Sequence, residues 1–301
     1  MQALGYLLIL VFTLLNLGES MLVKAYAKRF GSGGMLMNAV IALFAALFFL
    51  VSDCIDPETR GLYVPAEMLP LALINCCLFG AGFYFAFLAF KIGPYGLTRL
   101  ITSFSLLFTI FYGIIFLHEE AGVMTYIGIV MIFAAMFLIN YKPRAVGEGK
   151  DAEKEEGAVS LKWLIYLAIT VFSNGFIGIL TRMQQIRFEN LCSNEFQIIS
   201  IGGSFVLLAV LGVIIDRDKL GAVAKNGLLY GLGAGICNGG KNFVTLVIYL
   251  CLPLSTVSPV KTGVGMISAF LVAILFYKEK YTTLQKIGVL LGAGAVILLA
   301  L

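Results

Sequence analysis

The sequence predicts an all-α polytopic membrane protein with ten transmembrane helices, arranged as two inverted five-helix repeats. Its composition is the first observation, because 60% of the 301 residues are hydrophobic, only 13% are charged and the mean hydropathy is +0.98. A soluble domain carries roughly a quarter charged residues. The second observation is a division into ten long apolar runs. The third is a loose recurrence, after Pro253, of the segment that begins at Pro94.

Each apolar run has about 18 to 25 residues, which lets a helix cross a hydrocarbon core of about 30 Å. Most connections are short, so neighbouring helices are expected to run antiparallel. The first run lacks a basic leader and a small-residue cleavage site, and we interpret it as a retained span rather than a signal peptide. The runs cover residues 3–25, 34–51, 67–90, 94–117, 121–140, 161–182, 195–215, 226–250, 254–277 and 281–300.

One connection differs from the others. Residues 141–160 have no apolar period and mix four basic with five acidic residues, which is typical of a solvated linker. The linker separates a first five-helix repeat, residues 1–140, from a second one, residues 161–301. Because five is odd, the second repeat enters the membrane from the opposite side, and the repeat is predicted to be inverted.

The recurrence is clearest between residues 101–139 and 261–299, where a shift of 160 gives about eight identities. Glu119 and Glu279 are one of these pairs, and each lies where an apolar run ends. An anion is unfavourable at the carboxyl end of its own helix. We therefore expect each Glu to accept hydrogen bonds from the N-terminus of the helix that follows it, helix 5 or helix 10.

The distribution of Lys and Arg predicts the orientation. Connections after helices 1, 3, 5, 7 and 9 carry about fifteen of these residues, and the other side carries about three. The positive-inside rule places the linker in the cytoplasm, both termini outside, and the chain in the cell (inner or plasma) membrane. The net charge of +4 is explained by these loops. It does not indicate a nucleic-acid partner.

Polar residues recur at helical spacing inside several runs, and such residues face protein or a water-filled cavity rather than lipid. We predict a polar cavity lined by helices 1, 3, 4, 6, 8 and 9, with helices 5 and 10 at the rim. Hydrogen bonds within and between helices are the alternative for the hydroxyl groups, and a structural ion pair is the alternative for Lys241. The candidate binding residues are Asn16, Glu19, Arg99, Thr102, Asn238, Lys241, Asn242 and Lys261.

Residue types that build metal and catalytic sites are sparse. The six cysteines form no CxxC, and His118 is the only histidine. We expect no metal site, no cofactor and no enzymatic activity, since no phosphate-binding loop and no nucleophile with a base are present either.

The run Leu78 to Ile139 resembles the EamA domain of the drug/metabolite transporter superfamily. The features that carry the resemblance are Leu88 to Lys91 at the end of a helix, Pro94 opening the next, Glu119 closing it, and Gly128 in the fifth. Pro253, Glu279 and Gly288 are similar in the second half. Asn16 stands near the place of a family Trp and Glu19 near that of a small polar residue, so helix 1 departs from the pattern.

The resemblance and the polar stripes together predict a transporter, with export the expected direction. Its expected substrate is a small polar metabolite, an amino acid or another anionic or zwitterionic solute, moved through the bilayer by alternating access. Lys241, with Arg99 and Lys261, would attract the anionic group, the three Asn residues would supply hydrogen bonds, and Glu19 is the candidate for proton coupling. Proton-coupled efflux of cationic drugs through Glu19 and a non-transporting channel or scaffold remain alternatives. Both a monomer and a homodimer are compatible with the sequence.

Overall fold

The computed structural model describes residues 2–30, 34–55, 63–92, 101–102, 104–120, 122–140, 161–277 and 282–300. Within these ranges the chain forms ten helices of eleven residues or more and no strand. They are α1 Gln2–Phe30, α2 Gly34–Ile55, α3 Leu69–Ile92, α4 Leu106–Phe116, α5 Val123–Asn140, α6 Leu161–Arg187, α7 Ser193–Ile215, α8 Leu228–Cys251, α9 Leu254–Tyr277 and α10 Thr283–Ala300.

The helices follow the apolar runs closely, with two extensions and one shorter element. Helix α1 continues to Phe30 and α6 to Arg187, so each carries basic residues in its last turns. Long basic side chains can extend from such positions toward the membrane surface. Of the helix predicted over 94–117, residues 101–102 are helical, and α4 begins at Leu106 after a turn at residues 104–105. Residues 93–100 and the predicted linker 141–160 lie outside the described part.

Five of the described helices are long and apolar enough to cross a membrane: α1, α2, α3, α6 and α7. Three more, α4, α5 and α10, are apolar and shorter. The apolar course of α8 is interrupted at its centre by Asn238, Lys241 and Asn242. The predicted all-α polytopic membrane class is confirmed.

Each helix of the first half corresponds to the helix five positions later in the second half. Helices that pack together in one half or across the halves often correspond to another packed pair. Helix α1 packs on α8, and the corresponding pair α6 and α3 also packs. The pairs α2–α7, α4–α9 and α5–α10 each join corresponding helices. Because α5 and α10 pack mainly on each other and on α9, they lie to one side of the remaining helices.

Glycines allow α8 to approach two neighbours. A side chain at Gly235 would lie 2.9 Å from the carbonyl oxygen of Ile41 on α2, so only glycine fits without displacing backbone. On another face of α8, a side chain at Gly233 would lie 2.9 Å from Leu22 of α1. Close approach through small residues is the usual way in which membrane helices associate. The polar residues at the centre of α8 are thereby held close to α1.

The expected partner of Glu119 is wrong. Its Oε1 accepts a hydrogen bond from the Leu254 amide and its Oε2 accepts one from the Ser255 amide, both at 2.8 Å. The carboxylate therefore caps the N-terminus of α9 in the other half rather than that of α5, which follows it in the sequence. Gly113 makes room, because a side chain there would collide with the Glu119 carboxylate. Glu279 lies outside the described residues.

Asp216 makes a similar link between α7 and α2. It follows the last residue of α7, and its Oδ2 accepts a 2.7 Å hydrogen bond from the Met35 amide at the start of α2. Its Oδ1 pairs with Lys219 at 3.2 Å. Helix N-termini attract anions because their first amides lack intrahelical acceptors. Acids at helix ends thus connect α4 to α9 and α7 to α2.

We expect Glu119→Ala to lower the stability of the folded protein by about 1–2 kcal/mol, since two helix-end amides lose a charged acceptor. Thermal unfolding of the detergent-solubilised protein measures the change. Glu120→Ala is the matched control, because Glu120 is the adjacent acid and its side chain is exposed. Equal midpoints for the two variants would show that the cap at α9 contributes nothing.

Candidate functional site

An ion pair joins α1 and α8 near the middle of both helices. Lys241 Nζ contacts Glu19 Oε2, and the two side chains are only 18% and 14% exposed. Removing both charges from water is costly, and their attraction compensates only when further hydrogen bonds complete the site. The two residues are 222 positions apart in the chain, so folding alone brings them together.

Three asparagines complete the network around this pair. Lys241 Nζ donates to Asn16 Oδ1 at 3.3 Å, and Asn238 Nδ2 donates to Glu19 Oε1 at 2.8 Å. Asn242 Nδ2 donates to Asn238 Oδ1 at 3.0 Å. Both ends of the ion pair therefore have an amide partner, and the candidate residues of helices 1 and 8 form a single connected cluster.

Lys261 on α9 lies beside this cluster in a different electrostatic setting. Its ammonium donates to Thr245 Oγ1 at 3.0 Å and lies 3.9 Å from the centroid of the Phe12 ring. Both partners are uncharged, although the negative face of an aromatic ring does attract a cation. Neither partner neutralises the ammonium, so Lys261 can still attract an anion.

Four hydroxyl groups on α1, α8 and α9 have partners within their own helix. Thr13, Ser20, Thr245 and Thr262 each donate to the carbonyl oxygen four residues earlier. This back-bonding is common for Ser and Thr inside helices. These four hydroxyl donors are therefore satisfied within their own helices.

The remaining two candidates are Arg99 and Thr102. Arg99 lies outside the described residues. Thr102 precedes α4, where its carbonyl oxygen accepts from the Ser105 amide at 3.2 Å.

Two further polar side chains of interest, Arg182 and Asn174, lie on α6, and neither is among the candidates predicted from the sequence. Arg182, one of the three basic residues that the charge distribution assigns to the outer side, lies within α6 and donates from Nη1 to the carbonyl oxygen of Tyr249. Asn174 lies near the middle of α6 and lines a cavity of about 270 Å³ with Asn242 and several apolar residues. A lone Asn in an apolar run was the only available signal.

The arrangement can bind and release charge. An entering anion can replace Glu19 as the partner of Lys241, and Lys261 adds a second cationic group nearby.

Comparisons with known proteins bear on the fold and the family. The profile of the EamA-like transporter family matches residues 3–141. No curated protein matches the sequence.

A solved structure titled only "Crystal structure of protein" is 14% identical in sequence, with a TM-score of 0.73. The match covers 99% of this chain and 95% of that one. At this identity the likeness shows that the ten-helix fold is shared. The family match over residues 3–141, together with the membrane-length helices, supports a multi-pass membrane transporter similar to the EamA-like transporters of the drug/metabolite type.

Proposed function

We propose that the protein moves a small anionic or zwitterionic metabolite, such as an amino acid, across the cell membrane by alternating access, with export as the physiological direction. The observation that carries this proposal is the hydrogen-bonded Glu19–Lys241 pair in the membrane interior, with Lys261 beside it. Ionisable residues within membrane-spanning helices usually mark substrate or ion pathways. Two lysines against one acid leave an excess positive charge for an anionic group.

Substrate exchange at Lys241 supplies a mechanism. A substrate carboxylate takes the place of Glu19 on the ammonium, and Asn16 provides a neutral hydrogen-bond partner there. Glu19 keeps its hydrogen bond from Asn238 and becomes free to bind a proton. Helix α1 belongs to the first half, and α8 and α9 belong to the second. The change in charge within the cluster therefore alters contacts between the two halves.

The matched packing partners support an inverted relation between residues 1–140 and 161–301. Several packed pairs are retained when both helices are exchanged for those five positions later or earlier, as in α1–α8 and α6–α3. Inverted repeats place the binding site at the membrane midplane and allow one half to rock against the other. The distribution of basic residues supports a cytoplasmic linker, as argued from the sequence.

A panel of metabolites tests the proposal. Wild-type protein in detergent is heated with neutral, cationic, anionic and zwitterionic solutes, because a ligand that binds the folded state raises its apparent stability. Solutes that stabilise are then used as radiolabels in counterflow assays with proteoliposomes. We expect stabilisation and saturable counterflow for amino acids or other carboxylates.

Lys261→Met is the matched variant for this assay, since it keeps the length of the side chain and removes its charge. We expect it to weaken the binding of anionic solutes by about 1.5–3 kcal/mol, roughly 10- to 100-fold, the range for a hydrogen bond to a charged group. Stabilisation by cations alone would support drug efflux instead. Stabilisation without counterflow for every solute would favour a channel or scaffold.

A further inference from the structure

The half-open cavity lined by Asn174 and Asn242 lies beside the ion pair, between α3, α6 and α8. It has a volume of about 270 Å³, somewhat below the range of drug-binding pockets and suited to a small metabolite. Apolar side chains form most of its wall, with Phe79 and Phe83 contributed by α3 and Ile177 by α6. Two amides, Asn174 and Asn242, are its polar groups. No charged side chain lines it among the described residues.

A hydrogen-bond chain connects this cavity to the ion pair. Asn242 Nδ2 donates to the carbonyl oxygen and to Oδ1 of Asn238, both at 3.0 Å. Asn238 in turn donates to Glu19 Oε1 at 2.8 Å. The amide nitrogen of Asn242 is therefore directed toward the charged cluster, and its Oδ1 remains available as an acceptor for a group inside the cavity.

Asn174 is the second polar group of this wall. Its side chain is exposed although it lies near the centre of a membrane-length helix. A polar side chain at that depth faces a cavity rather than lipid. A side chain at Gly82 would lie only 3.2 Å from Asn174 Oδ1, so glycine on α3 preserves the space next to the amide.

We propose that this cavity is the subsite for the uncharged part of the transported solute, and that it selects a mainly apolar side chain over a charged one. The inference rests on the proposed function, in which the anionic group of the same solute binds near Lys241. The volume of the cavity equals that of about nine water molecules, at roughly 30 Å³ each. A branched or cyclic hydrocarbon side chain fits this space, and a second charge would lose hydration there without a charged partner.

Filling the cavity tests the assignment. Ala86 lines it on α3, and Ala86→Leu places an isobutyl group in the space. Leu73→Phe is the matched control, because it adds bulk to α3 at a residue that is 56% exposed. Counterflow of radiolabelled alanine, leucine, phenylalanine, glutamate and lysine is measured in proteoliposomes for the wild type and both variants.

We expect Ala86→Leu to raise the KM for leucine and phenylalanine by about tenfold or more relative to alanine, the scale of discrimination that pocket size provides. Wild type and Leu73→Phe should both prefer the apolar solutes to glutamate and lysine. Retained alanine counterflow in Ala86→Leu demonstrates a folded transporter. If that variant leaves the ratio of the KM values unchanged while alanine is transported, the subsite is wrong and the proposed function stands. If the wild type transports neither these five solutes nor any other carboxylate, the proposed function is wrong, and the subsite assignment that rests on it is wrong as well.

Discussion

Lys241→Ala is expected to lower counterflow of anionic and zwitterionic solutes by at least about 30-fold, because truncating one member of a buried charge pair costs about 2–5 kcal/mol. The variant removes the ammonium that the proposed mechanism offers to the substrate. It also leaves Glu19 without its ionic partner in a largely buried position. Both effects weaken binding of an anion. Initial counterflow rates in proteoliposomes, normalised to the amount of inserted protein, provide the measurement.

Two additional variants separate binding from folding. Lys225→Ala removes an exposed lysine from the π-helical segment Val223–Gly227 that precedes α8 and should leave transport unchanged. The double variant Glu19→Gln/Lys241→Met removes both charges and keeps an acceptor for Asn238, so it should unfold at a higher temperature than Lys241→Ala. We nevertheless expect the double variant to transport anions as poorly as Lys241→Ala does. Undiminished transport of every tested anionic and zwitterionic solute by Lys241→Ala would disprove the role of this residue.

The helices were predictable because each follows from local composition. A span requires about twenty apolar residues, and the sequence displays that requirement directly. The end of α1 was harder to predict from the sequence, because the helix continues to Phe30, beyond the end of the apolar run. For α4, the predicted start at Pro94 lies outside the described residues and stays a prediction.

Helical spacing identified the polar stripe of α8. The cost of placing a charge in the membrane identified Lys241 as a candidate binding residue. The partners of these groups could not be read from the sequence, because each lies on a distant segment. Glu119 illustrates the difficulty. Its neighbours suggested a cap on α5, whereas packing of α4 against α9 places the N-terminus of α9 at its carboxylate. Asn174 carried too little sequence signal to be selected before its surroundings were known.

Glu19→Gln is expected to tighten the binding of anionic solutes by about tenfold while slowing their transport. In the wild type a substrate carboxylate competes with Glu19 for Lys241, and the neutral amide of Gln removes this competition. Gln retains an oxygen acceptor for Asn238, so the local hydrogen bonds persist. Lys241 becomes an uncompensated buried cation in the empty protein, which costs stability of about 3–5 kcal/mol. A bound anion restores that charge balance, so ligand should raise the unfolding temperature more in this variant than in the wild type.

The same substitution distinguishes anion transport from cation efflux, because the two functions assign opposite roles to Glu19. As a shared proton and cation site, Glu19 would be indispensable, and Glu19→Gln would abolish both binding and export of cations. As the intramolecular competitor of the substrate, it is needed for release and for coupling to protons. Counterflow of an anionic solute should then persist at a reduced maximal rate, and accumulation driven by a pH gradient should disappear. Weaker binding of every anion by Glu19→Gln would contradict the exchange mechanism, since removing a competitor cannot lower the affinity of Lys241 for a carboxylate.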